Sequence, residues 1–388
     1  MSLIKVGIIG TGFSAKSHIE ALRRLSGVEV VAISGSTLEK AKRMAEQFSI
    51  PNFYGSVDEL IKDSEVDVVH NCTPNYLHYT VNKKVLEKGK HLLSEKPLAM
   101  TSEESRELVE LAKSKHVVAG VCFNYRHYPL VAQAKELIAK GEYGPVHLVH
   151  GTYLQDWLLY DTDYNWRLDA KRNGKSRAIA DIGSHWCDTV QYVLNKKIVE
   201  VFADLKTVHP VRKKPIGEVE TFQSKGQEAF EEIQIDSEDC GSVIVHFEDG
   251  THGAFVVSQV NAGRKNYLTF EIAAKQGTLY WNQEEPNKLW IGRRDGGNME
   301  LMRDPSLLSP VAATLAHYPG GHQEGWPDGL KNLFIDFYTA VKTYPNVSAS
   351  SFATIEDGHR IMQLIEAIVK SNEEKRWVKV ETGQEVLR

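Results

Sequence analysis

The first 123 residues alternate between short apolar runs rich in β-branched residues and segments whose apolar positions recur at helical spacing. The opening run, residues 4–9, leads directly into a segment with Ala15, Ile19, Leu22 and Leu25 on one helical face. Strand-like runs then follow at Val28–Ser34, Val66–Cys72, His91–Ser94 and Val117–Phe123. This alternation predicts a parallel sheet with crossover helices, which binds ligands outside the carboxyl ends of its strands.

Beyond Val146 the pattern changes to longer strand-like runs joined by turns. These runs are Val146–Trp157, Ile198–Val208, Ile233–Ile235, Ser242–Phe247, Gly253–Val260, Tyr267–Ala273 and Leu279–Trp281. Asp249-Gly250 is a hairpin signal, and helical patterns occupy Ser184–Leu194, Gly329–Thr343 and Ile355–Lys370. We therefore predict a first domain with a parallel sheet over residues 1–124 and a second, α/β domain over 125–388. The second domain should contain a large, mostly antiparallel open sheet, with its last helices packed back on the first domain.

Length and charge narrow the classes of function. A chain of 388 residues is too long for one ordinary core, so two domains are expected. Forty-six Lys and Arg against 51 Asp and Glu give a net charge of −5, which favours neither nucleic acid nor an anionic membrane as a partner. Four scattered cysteines without a C-x-x-C pair suit a reducing compartment, and we expect a cytoplasmic enzyme.

The turn after the first strand carries the chemistry of dinucleotide binding. Residues 10–15 read Gly-Thr-Gly-Phe-Ser-Ala, a G-x-G-x-x-A pattern between a strand and a helix. Gly10 permits the tight turn, Gly12 lets the backbone approach a pyrophosphate, and the helix N-terminus offers N–H groups to the anion. The alternative is a glycine-rich connection without a ligand, which this context disfavours.

Two further motifs carry candidate catalytic groups. Glu95-Lys96-Pro97 follows a predicted strand, where a lysine can hydrogen-bond a substrate hydroxyl and the proline can set the backbone turn, with a cis bond as one option. A solvated lysine at a strand end is the commoner alternative. Asp181 and His185 lie four residues apart at a predicted helix start, so the carboxylate can orient the imidazole as a general base. A surface or metal pair is the alternative there, although no metal is expected because C-x-x-C and H-E-x-x-H patterns are absent.

Together, in this order and at these separations, the three motifs resemble the glucose–fructose oxidoreductase/inositol 2-dehydrogenase (Gfo/Idh/MocA) family over essentially the whole chain. The resemblance implies a Rossmann domain, an α/β domain whose open sheet commonly forms an oligomer interface, and Lys96, Asp181 and His185 as the catalytic trio. The run from Gly151 to Trp157, with Trp166-Arg167, further resembles the branch that oxidises levoglucosan and glucosides. We accordingly expect an NAD(P)-dependent sugar or cyclitol dehydrogenase that forms a homodimer or homotetramer.

The expected binding residues fall into two groups. For the cofactor they are Gly10, Thr11, Gly12, Phe13, Ser14, Ser34, Ser36, Lys40, Thr73, Pro74, Asn75, His78, Glu95 and Lys96. For the polyol they are Asn124, Tyr125, Arg126, Gln155, Asp156, Trp166, Arg167 and His322. The basic stretch Lys171–Arg177 is expected to be a mobile loop over the site.

The cofactor choice depends on the end of the second strand. Dehydrogenases that use NAD usually carry an acid there, but this chain reads Ser34-Gly35-Ser36-Thr37-Leu38-Glu39-Lys40. A similar run in glucose–fructose oxidoreductase holds a 2′-phosphate, although the spacing to Lys40 is about one residue longer here. NADP is therefore favoured over NAD, with NAD kept as an alternative.

Two other functions fit parts of the pattern. A dinucleotide-sensing regulator would bind cofactor without turnover and would not need Lys96 and His185. A glycosidase that uses tightly held NAD for transient oxidation would cleave aryl glycosides without net cofactor reduction. The similarity of residues 151–167 to sugar dehydrogenases favours net oxidation and reduction.

Overall fold

The structure is a computed structural model that describes residues 3–216, 229–346 and 350–381. Contacts within the chain divide it into two compact units. The first comprises residues 1–127 and 326–362, and the second comprises residues 128–325 and 363–388. Among the described residues, no helix is long and apolar enough to cross a membrane.

The N-terminal part of the first unit alternates strictly between strands and helices. Its elements are β1 (Ile4–Ile9), α1 (Phe13–Leu22), β2 (Val28–Ser34), α2 (Leu38–Gln47), β3 (Asn52–Tyr54), α3 (Val57–Lys62), β4 (Val68–Asn71), α4 (Asn75–Glu87), β5 (His91–Ser94), α5 (Ser102–Lys115) and β6 (Ala119–Val121). The predicted bounds of β2 and β5 are confirmed exactly, whereas β4 and β6 are shorter than predicted.

The central part of the chain is rich in strands. Its elements are α6 (Pro129–Ala139), β7 (Val146–Leu154), α7 (Ala170–Asn173), α8 (Ser184–Leu194), β8 (Ile198–Lys206), β9 (Val211–Pro215), β10 (Phe230–Gln234), β11 (Cys240–Phe247), β12 (His252–Ser258), β13 (Tyr267–Ala274), β14 (Gly277–Asn282), β15 (Lys288–Gly292), β16 (Met299–Met302) and α9 (Pro310–Ala313). The chain then continues through α10 (Trp326–Thr343), β17 (Ala353–Thr354), α11 (Ile355–Glu374) and β18 (Val378–Lys379).

The first unit contains a twisted sheet of Rossmann order. Its described strands lie in the order β17-β6-β5-β4-β1-β2-β3, with β1 to β6 parallel and β17 antiparallel at the edge. One face packs on α1 and α10 through buried residues such as Ile8, Ile19, Leu333 and Phe337. The parallel sheet predicted from the alternating pattern is confirmed.

The second unit contains a mostly antiparallel sheet. Its described strands lie in the order β16-β15-β14-β13-β7-β12-β11-β8-β18, and β7 pairs in parallel with β12. The Asp249-Gly250 turn joins the antiparallel pair β11 and β12, as predicted. The side chains of Val243, Val245, Phe255 and Val257 are buried on one face, which also receives Trp186 of α8. The other face carries the exposed side chains of Ile244 and Val256.

Candidate active site

The glycine turn after β1 has the geometry that a dinucleotide fingerprint requires. Gly10 has φ +118° and donates a backbone hydrogen bond to the carbonyl of Ser34 at 2.9 Å. A Cβ at this position would lie 2.5 Å from the carbonyl oxygen of Cys72. Because that φ lies in the region favoured by glycine and backbone blocks the Cβ, no other residue fits without a shift of the turn.

Gly12 leaves a helix N-terminus open to an anion. It is the N-cap of α1, contributes no side-chain cap, and a Cβ on it would meet no atom within 4 Å. No acidic residue lies in the first turn, and Ala15 is fully buried against the sheet. The positive end of the helix dipole and its N–H groups therefore fit a pyrophosphate. Thr11 and Ser14 are partly exposed in this turn.

Phe13 lies beside this helix start. Its side chain is 55% exposed, and its ring centre is 5.7 Å from that of Trp326 in the same unit. An exposed phenyl ring that packs beside a partly buried indole, next to an open helix N-terminus, offers an apolar surface to a flat ring of a ligand.

The end of β2 carries hydroxyl groups and no carboxylate. Ser34 is fully buried, and its Oγ has no hydrogen-bond partner among the described residues. Thr37 caps α2 by accepting a hydrogen bond from the backbone N–H of Lys40 at 3.2 Å. Ser36 and Lys40 are exposed. Among the residues predicted to determine the preference for NAD or NADP, Ser36 and Lys40 near the start of α2 therefore have accessible side chains.

The segment after β4 is tied to the segment after β5 by His78. The Oδ1 of Asn71 accepts hydrogen bonds from the N–H and hydroxyl of Thr73, and α4 begins at Asn75. The ring nitrogens of His78 lie 2.7 Å from the carbonyl of Thr73 and 2.6 Å from that of Pro97. His78 therefore links the segments that follow β4 and β5, which are expected to line the cofactor. Pro74, between Thr73 and Asn75, is the N-cap residue of α4.

Glu95 is held as an ionised carboxylate beside Lys96. His18 Nε2 lies 3.1 Å from one of its oxygens, and the backbone N–H of Lys96 donates to the other at 3.2 Å. Burial raises the pKa of Glu95, but the hydrogen bond from His18 and the positive charges that face the carboxylate, from His18 first and then from Lys96 and His78, outweigh it and bring the pKa to about 2. The peptide bond between Lys96 and Pro97 is cis.

Asn124, Tyr125 and Arg126 form a buried 3₁₀ turn after β6. Arg126 Nη1 lies 3.2 Å from the carboxylate of Asp357 in the same unit. The amide nitrogen of Asn124 is buried and has no hydrogen-bond partner among the described residues. A buried amide that lacks a protein acceptor suits a role in ligand binding, because leaving a donor unsatisfied is costly.

In the second unit, Asp181 lies in a π-helical turn that precedes α8. The turn spans Ile179–Gly183, and Glu238 holds its start by accepting hydrogen bonds from the backbone N–H groups of Arg177 and Ile179. Single π turns inside helices occur frequently at functional sites. His185 follows in the first turn of α8, is buried, and has its ring centre 6.1 Å from that of Tyr153.

The carboxylate of Asp181 is oriented from two sides. Gln259 Nε2 donates to its Oδ2 at 3.0 Å, and Nε of Arg167 lies 3.5 Å from its Oδ1. The Oε1 of Gln259 in turn accepts from Arg177 Nη1 at 2.7 Å. Arg177 forms a fully buried ion pair with Asp239.

This burial corrects one expectation. The stretch Lys171–Arg177 is not simply a mobile loop over the site, because α7 ends within it and Arg177 is fully buried. Its charge is compensated by Asp239, a partner 62 residues away that local sequence does not reveal. The sequence did not predict a role in the site for Gln259, Glu238 or Asp239 for the same reason. A single Gln or acidic residue in a strand-rich region has no local pattern that marks it as part of a site.

The remaining predicted polyol residues all lie in the second unit. Gln155 accepts a hydrogen bond from Trp157 Nε1 at 2.8 Å, and Asp156 pairs with Lys265 at 2.7 Å. The guanidinium of Arg167 lies 4.5 Å from the ring centre of Trp166. His322 is exposed, and its carbonyl accepts from Arg303. Trp166, Arg167 and Asp181 are thus linked in one group.

Comparison with known proteins places both units in one family. Residues 4–123 match the family model of the oxidoreductases with an NAD-binding Rossmann fold (Gfo/Idh/MocA). Residues 131–280 match the model of the C-terminal domain of the same family.

Individual relatives include enzymes that act on sugars. Levoglucosan dehydrogenase from Pseudarthrobacter phenanthrenivorans is 31% identical over 98% of this chain and 99% of its own length. Glucose-6-phosphate 3-dehydrogenase from Bacillus subtilis is 25% identical over 93% of this chain and 94% of its own length. A solved complex of levoglucosan dehydrogenase with NADH and levoglucosan superposes with a TM-score of 0.86 at 31% identity, covering 97% of this chain and 99% of that one.

Proposed function

The chain belongs to the Gfo/Idh/MocA family of NAD-binding oxidoreductases, and on that premise we propose that it oxidises a secondary alcohol of a sugar, glycoside or cyclitol. The proposal rests on two pairs of polar side chains, one pair in each unit, that carry the groups needed for proton transfer and for stabilising an alkoxide. Glu95 and Lys96 follow β5 in the nucleotide-binding unit, and Asp181 and His185 stand at the start of α8 in the other. The match to levoglucosan dehydrogenase over nearly the whole chain supports a sugar as substrate.

The role proposed for each residue in the reaction follows from the chemistry of its side chain. A bound nicotinamide supplies the acceptor for the hydride. His185 takes the hydroxyl proton, the ammonium of Lys96 stabilises the developing alkoxide, and Asp181 orients the imidazole. General-base catalysis of this kind contributes roughly 10²–10⁴-fold, so each of these groups should matter by that order.

The polyol is proposed to bind through the group around Trp166. The aromatic face suits the C–H side of a pyranose, and Arg167 and Asn124 offer donors to hydroxyl oxygens. The free amide nitrogen of buried Asn124 supports its inclusion. Tyr125, Arg126, Gln155, Asp156 and His322 complete the proposed set.

For the cofactor, the NAD-binding family and the relatives solved with NADH support NAD(H). Preference for NADP stays a proposal. It rests on the absence of a carboxylate at the end of β2 and on the accessible Ser36 and Lys40 at the start of α2.

We also propose that the chain forms homo-oligomers through the open face of the second sheet. Leu148, Ile244 and Val256 lie on the same face of the sheet, on β7, β11 and β12, and each is at least 40% exposed. Neighbouring polar residues such as His150 and Glu271 give this face specificity. Apolar side chains grouped on an exposed sheet face are typical of an interface.

The test mixes purified protein with NAD or NADP and a panel of inositols, glucosides and anhydrosugars, and follows the near-UV absorbance of reduced nicotinamide. Sugar-dependent reduction that Lys96→Met and His185→Asn abolish supports the proposal. Lys88→Met, at an exposed position near the end of α4, is the matched control.

Two results would favour the alternatives. Cofactor binding without reduction for any sugar would indicate a sensor. Cleavage of aryl glycosides without net reduction would indicate a redox-assisted glycosidase.

A further inference from the structure

A continuous chain of four polar side chains runs through the interior of the first unit and ends at Glu95. Tyr338 Oη lies 2.8 Å from Nε2 of His70, and Nδ1 of His70 lies 2.8 Å from Nδ1 of His18. Nε2 of His18 then lies 3.1 Å from the carboxylate of Glu95. The first three side chains are at most 1% exposed, and they come from α10, β4 and α1.

The chain is enclosed by aromatic rings. Phe334 contacts both imidazoles edge-on, with its ring centre 4.9 Å from that of His18 and 5.0 Å from that of His70. Phe337 approaches His70 at 6.4 Å. In such surroundings each polar atom depends on its neighbour in the chain, because an unpaired buried donor or acceptor is costly.

When His18 is neutral, the geometry permits one order of protons. Two Nδ1 atoms 2.8 Å apart share a single proton, so one ring donates and the other accepts. The ionised Glu95 accepts only, so a neutral His18 carries its proton on Nε2 and accepts at Nδ1, whereas an imidazolium would donate from both nitrogens. His70 therefore donates from Nδ1 and accepts at Nε2 from the hydroxyl of Tyr338. Every donor in the chain points toward Glu95.

The ionisation states agree with this order. Burial lowers the pKa of His70 well below 6.5 and raises that of Tyr338 well above 10, so both are neutral at physiological pH. The titratable groups that face Glu95 are His18, His78, Lys96, Cys72 and Cys122. Burial raises the pKa of both thiols, so both face the carboxylate as neutral groups.

We propose that Tyr338, His70 and His18 form a proton-ordered chain that positions Glu95, and through it the backbone of Lys96. The far oxygen of Glu95 accepts the N–H of Lys96 at 3.2 Å, so fixing the carboxylate fixes the start of the lysine segment. The inference rests on the proposed catalytic role of Lys96. The three residues of the chain are positioning residues, since they touch Glu95 and not the reacting groups.

Nitrogen-15 NMR of histidine-labelled protein tests the proton order without turnover. The expected result is a proton on Nε2 of His18 and on Nδ1 of His70, with a scalar coupling between the two Nδ1 atoms across the hydrogen bond. A proton on Nδ1 of His18, or a doubly protonated ring at neutral pH, overturns the proposal. So does bound metal found by elemental analysis, because Nε2 of His18, a Glu95 oxygen and Sγ of Cys122 lie within 4.8 Å of one another and a cation there would replace the proton.

Variants test the positioning role. His18→Phe removes the donor to Glu95, so the pKa of the buried carboxyl should rise. The backbone amide resonance of Lys96 should then shift as the carboxyl titrates, at a higher pH than in the unchanged protein. Tyr338→Phe removes the hydrogen bond to Nε2 of His70, so the nitrogen-15 resonance of that nitrogen should shift while the proton stays on Nδ1, whereas Tyr54→Phe, which removes a hydroxyl bonded to Asp63 elsewhere in the unit, should leave it unchanged.

Activity separates this inference from the proposed function. An acid limb in the pH profile of kcat that appears only in His18→Phe supports positioning, and an unchanged Lys96 amide titration overturns it. If the unchanged protein reduces no cofactor with any sugar while the NMR results are as expected, the proposed function fails and the proton-ordered chain stands.

Discussion

Gln259 donates from Nε2 to Asp181 Oδ2 at 3.0 Å while its Oε1 accepts from Arg177 at 2.7 Å. A guanidinium only donates, so the amide of Gln259 has one orientation, with its N–H groups toward the carboxylate. The buried ion pairs of Arg177 and Arg212 with Asp239 anchor this arrangement. The neutral amide of Gln259 thus links the buried ion pairs of Asp239 to Asp181, the carboxylate proposed to orient His185.

We predict that Gln259→Glu lowers kcat by about 10–100-fold and moves the acid limb of its pH profile upward, because two carboxylates at hydrogen-bond distance cannot both ionise freely. Gln259→Met should cost less, since it removes the hydrogen bond without adding charge. Steady-state rates against pH measure both. An identical pH profile of kcat for Gln259→Glu and the unchanged enzyme would contradict the role given to the hydrogen bond between Gln259 and Asp181.

Two glycines of the same turn should respond differently to alanine. Gly10→Ala places a Cβ 2.5 Å from a backbone oxygen at φ +118°, so it should lower the free energy of unfolding by roughly 1–3 kcal/mol or more. Gly12→Ala meets no atom, so it should leave stability within about 1 kcal/mol and weaken cofactor binding instead. Chemical denaturation and cofactor titration separate the effects. Equal stability losses would contradict the geometry.

Lys40 provides the test of cofactor preference. If its ammonium binds a 2′-phosphate, Lys40→Ala should weaken NADP binding by about tenfold, the equivalent of one charge-assisted hydrogen bond, and leave NAD binding unchanged. Fluorescence titration with both reduced cofactors measures the ratio. Lys42→Ala, two residues further along α2, is the control. An equal loss for both cofactors would refute the preference.

The buried histidines of the first unit should make it sensitive to mild acid. Burial lowers the pKa values of His70, His78, His91 and His359 from the ordinary 6.5. Below that value the unfolded chain binds more protons than the folded one, so stability present above pH 6.5 is lost as the pH falls toward the folded values. Each histidine adds up to about 1.4 kcal/mol per pH unit to the slope. Urea unfolding from neutral pH to about pH 5 measures it, and His91→Asn should reduce the slope by one proton.

The open sheet face gives a prediction for assembly. Ile244→Lys, at a position that is 45% exposed on β11, should shift the protein toward a smaller species in sedimentation or light scattering, because it buries a charge in the proposed interface. Exposed Leu307 lies outside this sheet, so Leu307→Lys is the control. Unchanged mass for Ile244→Lys would exclude this face.

Local patterns in the sequence were sufficient for the elements and for the motifs that lie at their ends. The period of apolar residues predicted β2, β5 and α8 at their observed bounds, because strand and helix periodicity depends on neighbouring residues alone. The glycine turn could be predicted for the same reason, since Gly10 and Gly12 lie within one short loop between a strand and a helix. The two sheets followed from the change in spacing of strands near residue 146.

Only the tertiary structure showed what surrounds those motifs. The Asp181 carboxylate meets Gln259 across 78 residues, His18 meets His70 across 52, and His70 meets Tyr338 across 268. No periodicity connects residues so far apart, and each of them alone is an ordinary polar residue in an apolar segment. Burial explains why these distant residues pair with one another, because a polar group removed from water must find a partner wherever the fold provides one. The sequence by itself therefore determined where the reactive groups lie along the chain, and the packing of distant elements decided how those groups are oriented and charged.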